Sequence, residues 1–126
     1  MEHRLDVKVY YEDTDCLGIV YHSNYLKYME RGRTEFISAK GKHISELNAE
    51  GLNFAVYEMK IKFLRAAKLG DVLQIVTKLG NDKSEYRRRM IQRVELNGQS
   101  MVEAEVDIVC LDGNKQLRTF PSGIMD

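Results

Sequence analysis

The hydrophobic period of this chain switches from two to 3.6 over one long stretch and then switches back. Over about residues 23–40, Tyr25, Met29, Gly32 and Phe36 fall on one helical stripe, flanked by Leu26 and Ile37. Lys27, Glu30, Arg31, Thr34 and Glu35 fall elsewhere on the same wheel. That spacing predicts one amphipathic helix of about five turns. Ser23 or Asn24 can cap its start, although no Glu follows to complete a capping box. Gly41 is a natural stop. Gly32 inside the helix costs roughly 1 kcal/mol relative to alanine, so its presence points to a close approach by a sheet or a partner. A second, short helix is expected at 44–49.

The segments around the helix alternate. Leu5, Val7, Val9 and Tyr11 point one way and Arg4, Asp6 and Lys8 the other, as in a half-buried strand. After Gly51, Ala55, Tyr57, Met59, Ile61 and Phe63 alternate with Glu58, Lys60 and Lys62. A turn at Leu69-Gly70-Asp71 leads to a strand over 72–79, and a loop at 80–83 to a long strand over 85–95. Asn97-Gly98 is a hairpin signal. Val102, Ala104, Val106, Ile108 and Cys110 alternate beyond it, and Asp112-Gly113 turns the chain into a short last strand near 116–119. One strand, one long helix, then hairpin-connected strands make an α+β fold. Its antiparallel sheet, of about five strands, wraps the helix.

The hairpin register can be read from charge. A two-residue turn would set Arg89 against Val106 and mix charged with apolar faces. A three-residue loop, with Gly98 left-handed in a bulge, sets Arg89 against Glu105, Arg87 against Asp107 and Arg93 against Met101. The second register is expected. It assigns Arg87 and Arg89 to cross-strand acids rather than to a nucleic acid and leaves Arg88 unexplained.

With 126 residues the chain is expected to form a single domain over 1–126. Nineteen Lys and Arg balance nineteen Asp and Glu, which argues against a dedicated nucleic-acid binder. No apolar run is long enough for a membrane helix, and the N-terminus lacks a secretory signal. Cys16 and Cys110 are the only cysteines and lack CxxC spacing, which suggests a reduced, cytoplasmic protein. His3, His22 and His43 lack metal-ligand spacing, and no cofactor or metal is implied.

The densest polar cluster runs from Tyr10 to Gly18, with Tyr21-His22-Ser23-Asn24 behind it. It places three carboxylates and a histidine just before the helix. A helix N-terminus offers free N–H groups and partial positive charge. Such a terminus can polarise a carbonyl, while a nearby carboxylate attacks an acyl carbon or activates water. The same acids could equally form a solvated loop that caps the helix. Cys16 beside His22 suggests a cysteine hydrolase, but no third residue to orient the histidine is identifiable.

Val9 to Asp15, Gly18 to Tyr25 and Met29 to Glu35 together closely resemble the hotdog-fold acyl-CoA thioesterases. Within them the chain is similar to the Tol-Pal-associated (YbgC-type) branch of the 4-hydroxybenzoyl-CoA thioesterase-like group. Weaker echoes lie at Lys62 to Asp71 and at Val109 to Asp112, so the resemblance spans nearly the whole chain. It implies a homodimer or dimer of dimers with active sites at the interface. It also implies that Asp15 is the catalytic carboxylate, as nucleophile or general base, and that the backbone N–H near His22 polarises the thioester. His22 and Tyr11 match positions implicated in that branch. Coenzyme A would be part of the substrate, with Lys62, Arg65 and Lys68 as candidates for its phosphates. The resemblance further suggests acyl carrier protein and phospholipid-synthesis enzymes as partners. Two rivals remain: a non-catalytic acyl-CoA-binding or regulatory hotdog protein, and a hydratase. A hydratase would pair a histidine base with an acid on the helix, which offers Glu30 and Glu35 but no histidine.

Overall fold

The computed structural model describes residues 1–126, except for the side chains of residues 82 and 83. Strand β1 (His3–Lys8) opens the chain, and α1 (Asn24–Ser38) and α2 (Ile44–Ala49) follow. Then come β2 (Asn53–Phe63), β3 (Val72–Lys83), β4 (Arg87–Leu96), β5 (Gln99–Leu111) and the two-residue β6 (Leu117–Arg118). The sheet is antiparallel in the order β1-β3-β4-β5-β2, with β6 added beside β5. Both helices fall where the pattern places them, and α1 lies across the inner face of the sheet.

The contact of α1 with the sheet explains Gly32. A Cβ at this position would lie 2.6 Å from Ile75 Cγ2, 3.0 Å from Thr77 Oγ1 and 3.2 Å from Gln92 Nε2. Without one, the Gln92 amide reaches the helix backbone and donates to the Met29 carbonyl at 2.8 Å and to Thr77 Oγ1 at 2.9 Å. Gln92 is 1% exposed and fully engaged, since its Oε1 accepts from Arg33. Around this polar seat the core is apolar. Tyr25, Met29 and Phe36 of α1 join Leu73, Ile75, Met90, Val94, Val102 and Val106 of the sheet.

Several local expectations need correcting. Tyr11 does not continue β1 on its inward face; the chain leaves the sheet after Lys8, and Tyr11 sits 82% exposed in a 3-10 turn, Tyr11–Asp13. Tyr57 is the extra residue of a bulge in β2. Val56 faces Ile108 and Glu58 already faces Asp107, so the inward set changes phase there. Strand β3 runs through the expected loop to Lys83, and the connection to β4 spans 84–86.

The β4–β5 register also differs. Asn97 (φ 52°) and Gly98 (φ 81°) form a two-residue turn with both residues left-handed, as a type I′ hairpin requires. Leu96 faces Gln99 and Glu95 faces Ser100, but Val94 faces Val102, so Met101 is an extra residue in β5. Beyond that bulge Arg89 faces Asp107 and Arg93 faces Glu103. The expected separation of charged and apolar faces is therefore kept, but the partners are displaced by two residues. Arg89 bonds Asp107 at 2.8 Å and also its expected partner Glu105 at 3.0 Å, whereas Arg87, expected against Asp107, faces Val109. Arg88 lies on the inner face, 9% exposed, opposite Ile108.

Candidate active site

Between β1 and α1 the chain builds a small loop from its own polar groups. The Asp13 N–H donates to the Tyr10 carbonyl, and Asp13 Oδ2 accepts the Tyr10 N–H at 2.9 Å. Thr14 turns its N–H and its hydroxyl onto the Tyr11 carbonyl. Thr14 and Val20 then face each other as an antiparallel bridge, and Asp15 N–H donates to Ile19. At the tip, Asp15 Oδ1 accepts the Leu17 N–H at 2.8 Å, the turn that aspartate makes with its own backbone. Gly18 closes the tip at φ 77°, a conformation that strains side-chain-bearing residues. Among the described residues Asp15 Oδ2 has no hydrogen-bond partner.

Two further elements hold this loop. The Ala67 peptide donates its N–H to the Tyr25 hydroxyl and accepts the Val20 N–H at 2.8 Å. Ile19 bridges Lys68, whose N–H donates to the Asp71 side chain. On the helix side, the Asp13 carbonyl accepts both the Tyr21 N–H and the Asn24 side-chain amide, each at 2.9 Å.

No side chain caps the start of α1; the N–H groups of Asn24, Tyr25 and Leu26 donate instead to the carbonyls of Tyr21, His22 and Ser23. Ser23 makes no side-chain capping bond, and Asn24 points its amide at Asp13 instead. Neither expected cap forms. The N–H groups of His22 and Ser23 donate to no group among the described residues. The His22 ring is exposed, 4.6 Å from the Tyr21 ring and 6.0 Å edge-on from Phe63 at the end of β2. It makes no hydrogen bond among the described residues.

The expected site residues therefore separate. Asp15 and the start of α1 near His22 belong to one hydrogen-bonded unit. Tyr11 contributes its carbonyl to the loop while its ring stands in solvent. Lys68 touches the loop through its backbone. Arg65, just past β2, donates to the Ser100 carbonyl of β5, and Lys62 lies exposed on β2 opposite Glu103. Asp13 is committed to structure. Beside its carboxylate the Tyr28 hydroxyl is buried without a hydrogen bond of ordinary length and angle among the described residues. Burial first, and then the Asp13 carboxylate beside it, through both hydrogen bonding and charge, push that hydroxyl's pKa up. Cys16 is exposed and unpaired.

A cavity of about 300 Å³ opens further along α1, lined among others by Glu30, Arg33, Thr34, Val56, Met90 and Ile108. No residue of the Asp15 loop lines it. Burial there pushes the pKa of Arg33 down. No group of three His, Cys, Asp or Glu side chains among the described residues could hold a metal ion. No helix among them is long and apolar enough to cross a membrane.

An antiparallel sheet wrapped on one long helix, with an acidic loop tied to the start of that helix, is the hotdog arrangement. Residues 9–126 match the thioesterase-like superfamily model, and the chain belongs to that family. It is 36% identical to an acyl-CoA thioester hydrolase YbgC of Escherichia coli over 97% of this chain and 92% of that one. An acyl-CoA thioesterase YbgC of Haemophilus influenzae is also 36% identical, over 94% of this chain and 88% of that one. A probable thioesterase from Bartonella henselae has a solved structure that superposes with TM-score 0.91 at 33% identity, over 96% of this chain and 100% of that one.

Sequence reasoning missed what fixes the loop. Nothing in residue spacing distinguishes an Asn that caps its own helix from one that bonds a carbonyl eleven residues earlier. The roles of Tyr25 and the Ala67 peptide were equally hidden, because both depend on the chain returning from β2.

Proposed function

We propose that this protein hydrolyses acyl-CoA thioesters, releasing a carboxylic acid and free coenzyme A. The observation that carries the reading is the pairing of two unsatisfied features in one unit: the open oxygen of Asp15 and the open N–H groups of His22 and Ser23 just before α1. The thioester carbonyl oxygen accepts from those N–H groups, where developing negative charge meets the positive end of the helix. Asp15 then acts in one of two ways. As general base it takes a proton from water as the water oxygen attacks the acyl carbon. As nucleophile it attacks directly, and water then opens the resulting anhydride. On either route the C–S bond breaks, and the thiolate of coenzyme A leaves and takes a proton. The same activity in the names of the E. coli and H. influenzae relatives supports the reading.

The site is completed by a second copy of the chain. Strand β2 is a sheet edge and exposes Val56, Tyr57 and Phe63, with Leu64 exposed just beyond its end, apolar surface that an unpaired edge strand seldom leaves bare. Phe63 also touches His22, so pairing at this edge borders the site. Lys68 adjoins the loop through Ile19, and it is assigned, with Arg65 and Lys62, to the phosphates of coenzyme A.

The test is release of free thiol from a panel of alkyl- and aryl-CoAs, with sedimentation to count subunits. Release by the natural protein and its loss in Asp15→Asn support the reading. Tight acyl-CoA binding without thiol release would instead make this a binding or regulatory protein.

A further inference from the structure

That no side chain caps the start of α1 is a choice the sequence need not have made. Ser23 and Asn24 both belong to the residue types that cap helices well, yet neither side chain turns onto the helix. Asn24 spends its amide outward on the Asp13 carbonyl, 2.9 Å away. That carbonyl is also the acceptor for Tyr21 N–H. One oxygen therefore joins the loop before Asp15 to Tyr21, ahead of α1, and to Asn24, its first residue. Thr14, next in the chain, bridges Val20, and Asp15 follows.

We propose that Asn24 is a positioning residue for thioester hydrolysis: by bonding the Asp13 carbonyl rather than its own helix, it fixes Asp15 against the start of α1, beside the open N–H groups of His22 and Ser23. This rests on the function proposed above. The geometry carries it in two ways. The bond crosses from the helix to the loop two residues before Asp15, so losing it frees the hinge of the acid. The amide is partly buried, so an Ala there leaves the Asp13 carbonyl with Tyr21 alone and no solvent-exposed side chain to replace the donor. Displacement of a reacting group by about 1 Å can cost on the order of 100-fold in rate. The cations assigned to coenzyme A, Lys62, Arg65 and Lys68, make their contacts elsewhere, with Glu103, Ser100 and Ile19.

The experiment compares Asn24→Ala with Cys110→Ala. Cys110 is buried on β5 at the end of the sheet that pairs with β6, so its loss reports simple destabilisation. Asn24→Ala is expected to lower kcat by roughly 10- to 100-fold with KM within about twofold. Cys110→Ala should leave both unchanged. Hydrogen exchange supplies a readout independent of turnover. In Asn24→Ala the Tyr21 and Asp15 amides should exchange at least about tenfold faster, while those of β5 keep their protection. Unchanged exchange at Tyr21 and Asp15 overturns the proposal whatever the activity does. So does a kcat that falls no further than in Cys110→Ala, or a rise in KM at constant kcat. If the natural protein releases no thiol, the functional reading fails. Faster exchange alone would then assign Asn24 to loop structure and overturn its role in hydrolysis.

Discussion

Asp15 and Asp107 carry the same side chain in opposite settings. At Asp107, on the outer face of β5, Arg89 Nε donates to one oxygen at 2.8 Å and Arg89 Nη2 to the other at 3.2 Å. That guanidinium holds the Asp107 carboxyl below the usual carboxylate range. The neighbouring charges are paired in the same way, Arg93 with Glu2 and Glu95, and Arg4 with Glu95. At Asp15 the backbone takes one oxygen, and among the described residues the other is left open and no cation bonds it. A carboxylate satisfied on both oxygens by a fixed guanidinium holds strands together. One satisfied by half, in a loop tied to a helix start, is available to a reactant.

Exchanging each acid for its amide gives the widest separation between the two regions. Asp15→Asn keeps the shape and removes the charge, so kcat should fall at least about 100-fold, the lower end for loss of a catalytic base. Its melting temperature should stay within about a degree or two. The comparison breaks if Asp15→Asn retains activity and Asp13→Asn loses it, because Asp13 is the acid whose oxygen is already committed to Tyr10.

Asp107→Asn should do the reverse, with thiol release preserved and stability lowered. Bonds to charged groups contribute about 1.5–3 kcal/mol, and Arg89 keeps Glu105 at 3.0 Å, so about 1–2 kcal/mol is expected. The loss is pH-dependent with a defined sign. The folded carboxyl titrates below its unfolded value of about 3.9, so its stabilisation is present above that pH and disappears as pH falls through the folded value. Denaturant melts at pH 7 and pH 3 should show the gap between natural and Asp107→Asn protein closing on acidification. A gap that is constant with pH would mean that packing, not charge, holds the hairpin.

His22→Ala sharpens the loop side. The backbone N–H survives the substitution and the imidazole bonds nothing among the described residues, so the loss in kcat should stay under about tenfold, or roughly 1.4 kcal/mol. A loss matching Asp15→Asn would put the imidazole itself in the chemistry.

The same contrast shows why some features were legible in the sequence and others not. Period and punctuation located α1, α2 and the strands, because burial of one face is a local property of residue order. Gly32 could be read as a close approach before its contact with Ile75, Thr77 and Gln92 was seen. The register of β4 and β5 was only half legible. Alternation fixed which face Arg89 occupies, but the bulge at Met101 chose its partner. That bulge presents its carbonyl to the N–H groups of both Leu64 and Arg65, from a strand end far away in sequence. Tyr11 failed as an inward residue because Asp13 pulls the chain into a turn at Tyr10, a side-chain effect that alternation does not register. Asp15 could be singled out by motif. The groups that hold it, Asn24, Tyr25 and the Ala67 peptide, could not.

Tyr28 offers the smallest and most local test of how satisfied the loop is. Its hydroxyl is buried beside the Asp13 carboxylate, which raises its pKa, yet it makes no hydrogen bond of ordinary length and angle among the described residues. Its ring is otherwise well placed, edge-on to Tyr25 at 6.0 Å and under the Arg31 guanidinium at 5.8 Å. Tyr28→Phe keeps the ring contacts and removes a desolvated hydroxyl, so stability should be unchanged or rise by up to about 1 kcal/mol. Thiol release should be untouched, because Asp13 keeps its bond from the Tyr10 N–H and its carbonyl keeps Asn24. Calorimetry and the thiol assay on one preparation decide the matter. If Tyr28→Phe instead loses more than about 1 kcal/mol, the hydroxyl bonds Asp13 in solution. The acid would then be satisfied from the helix as well as from the loop, and the line drawn between a committed Asp13 and an open Asp15 becomes sharper still.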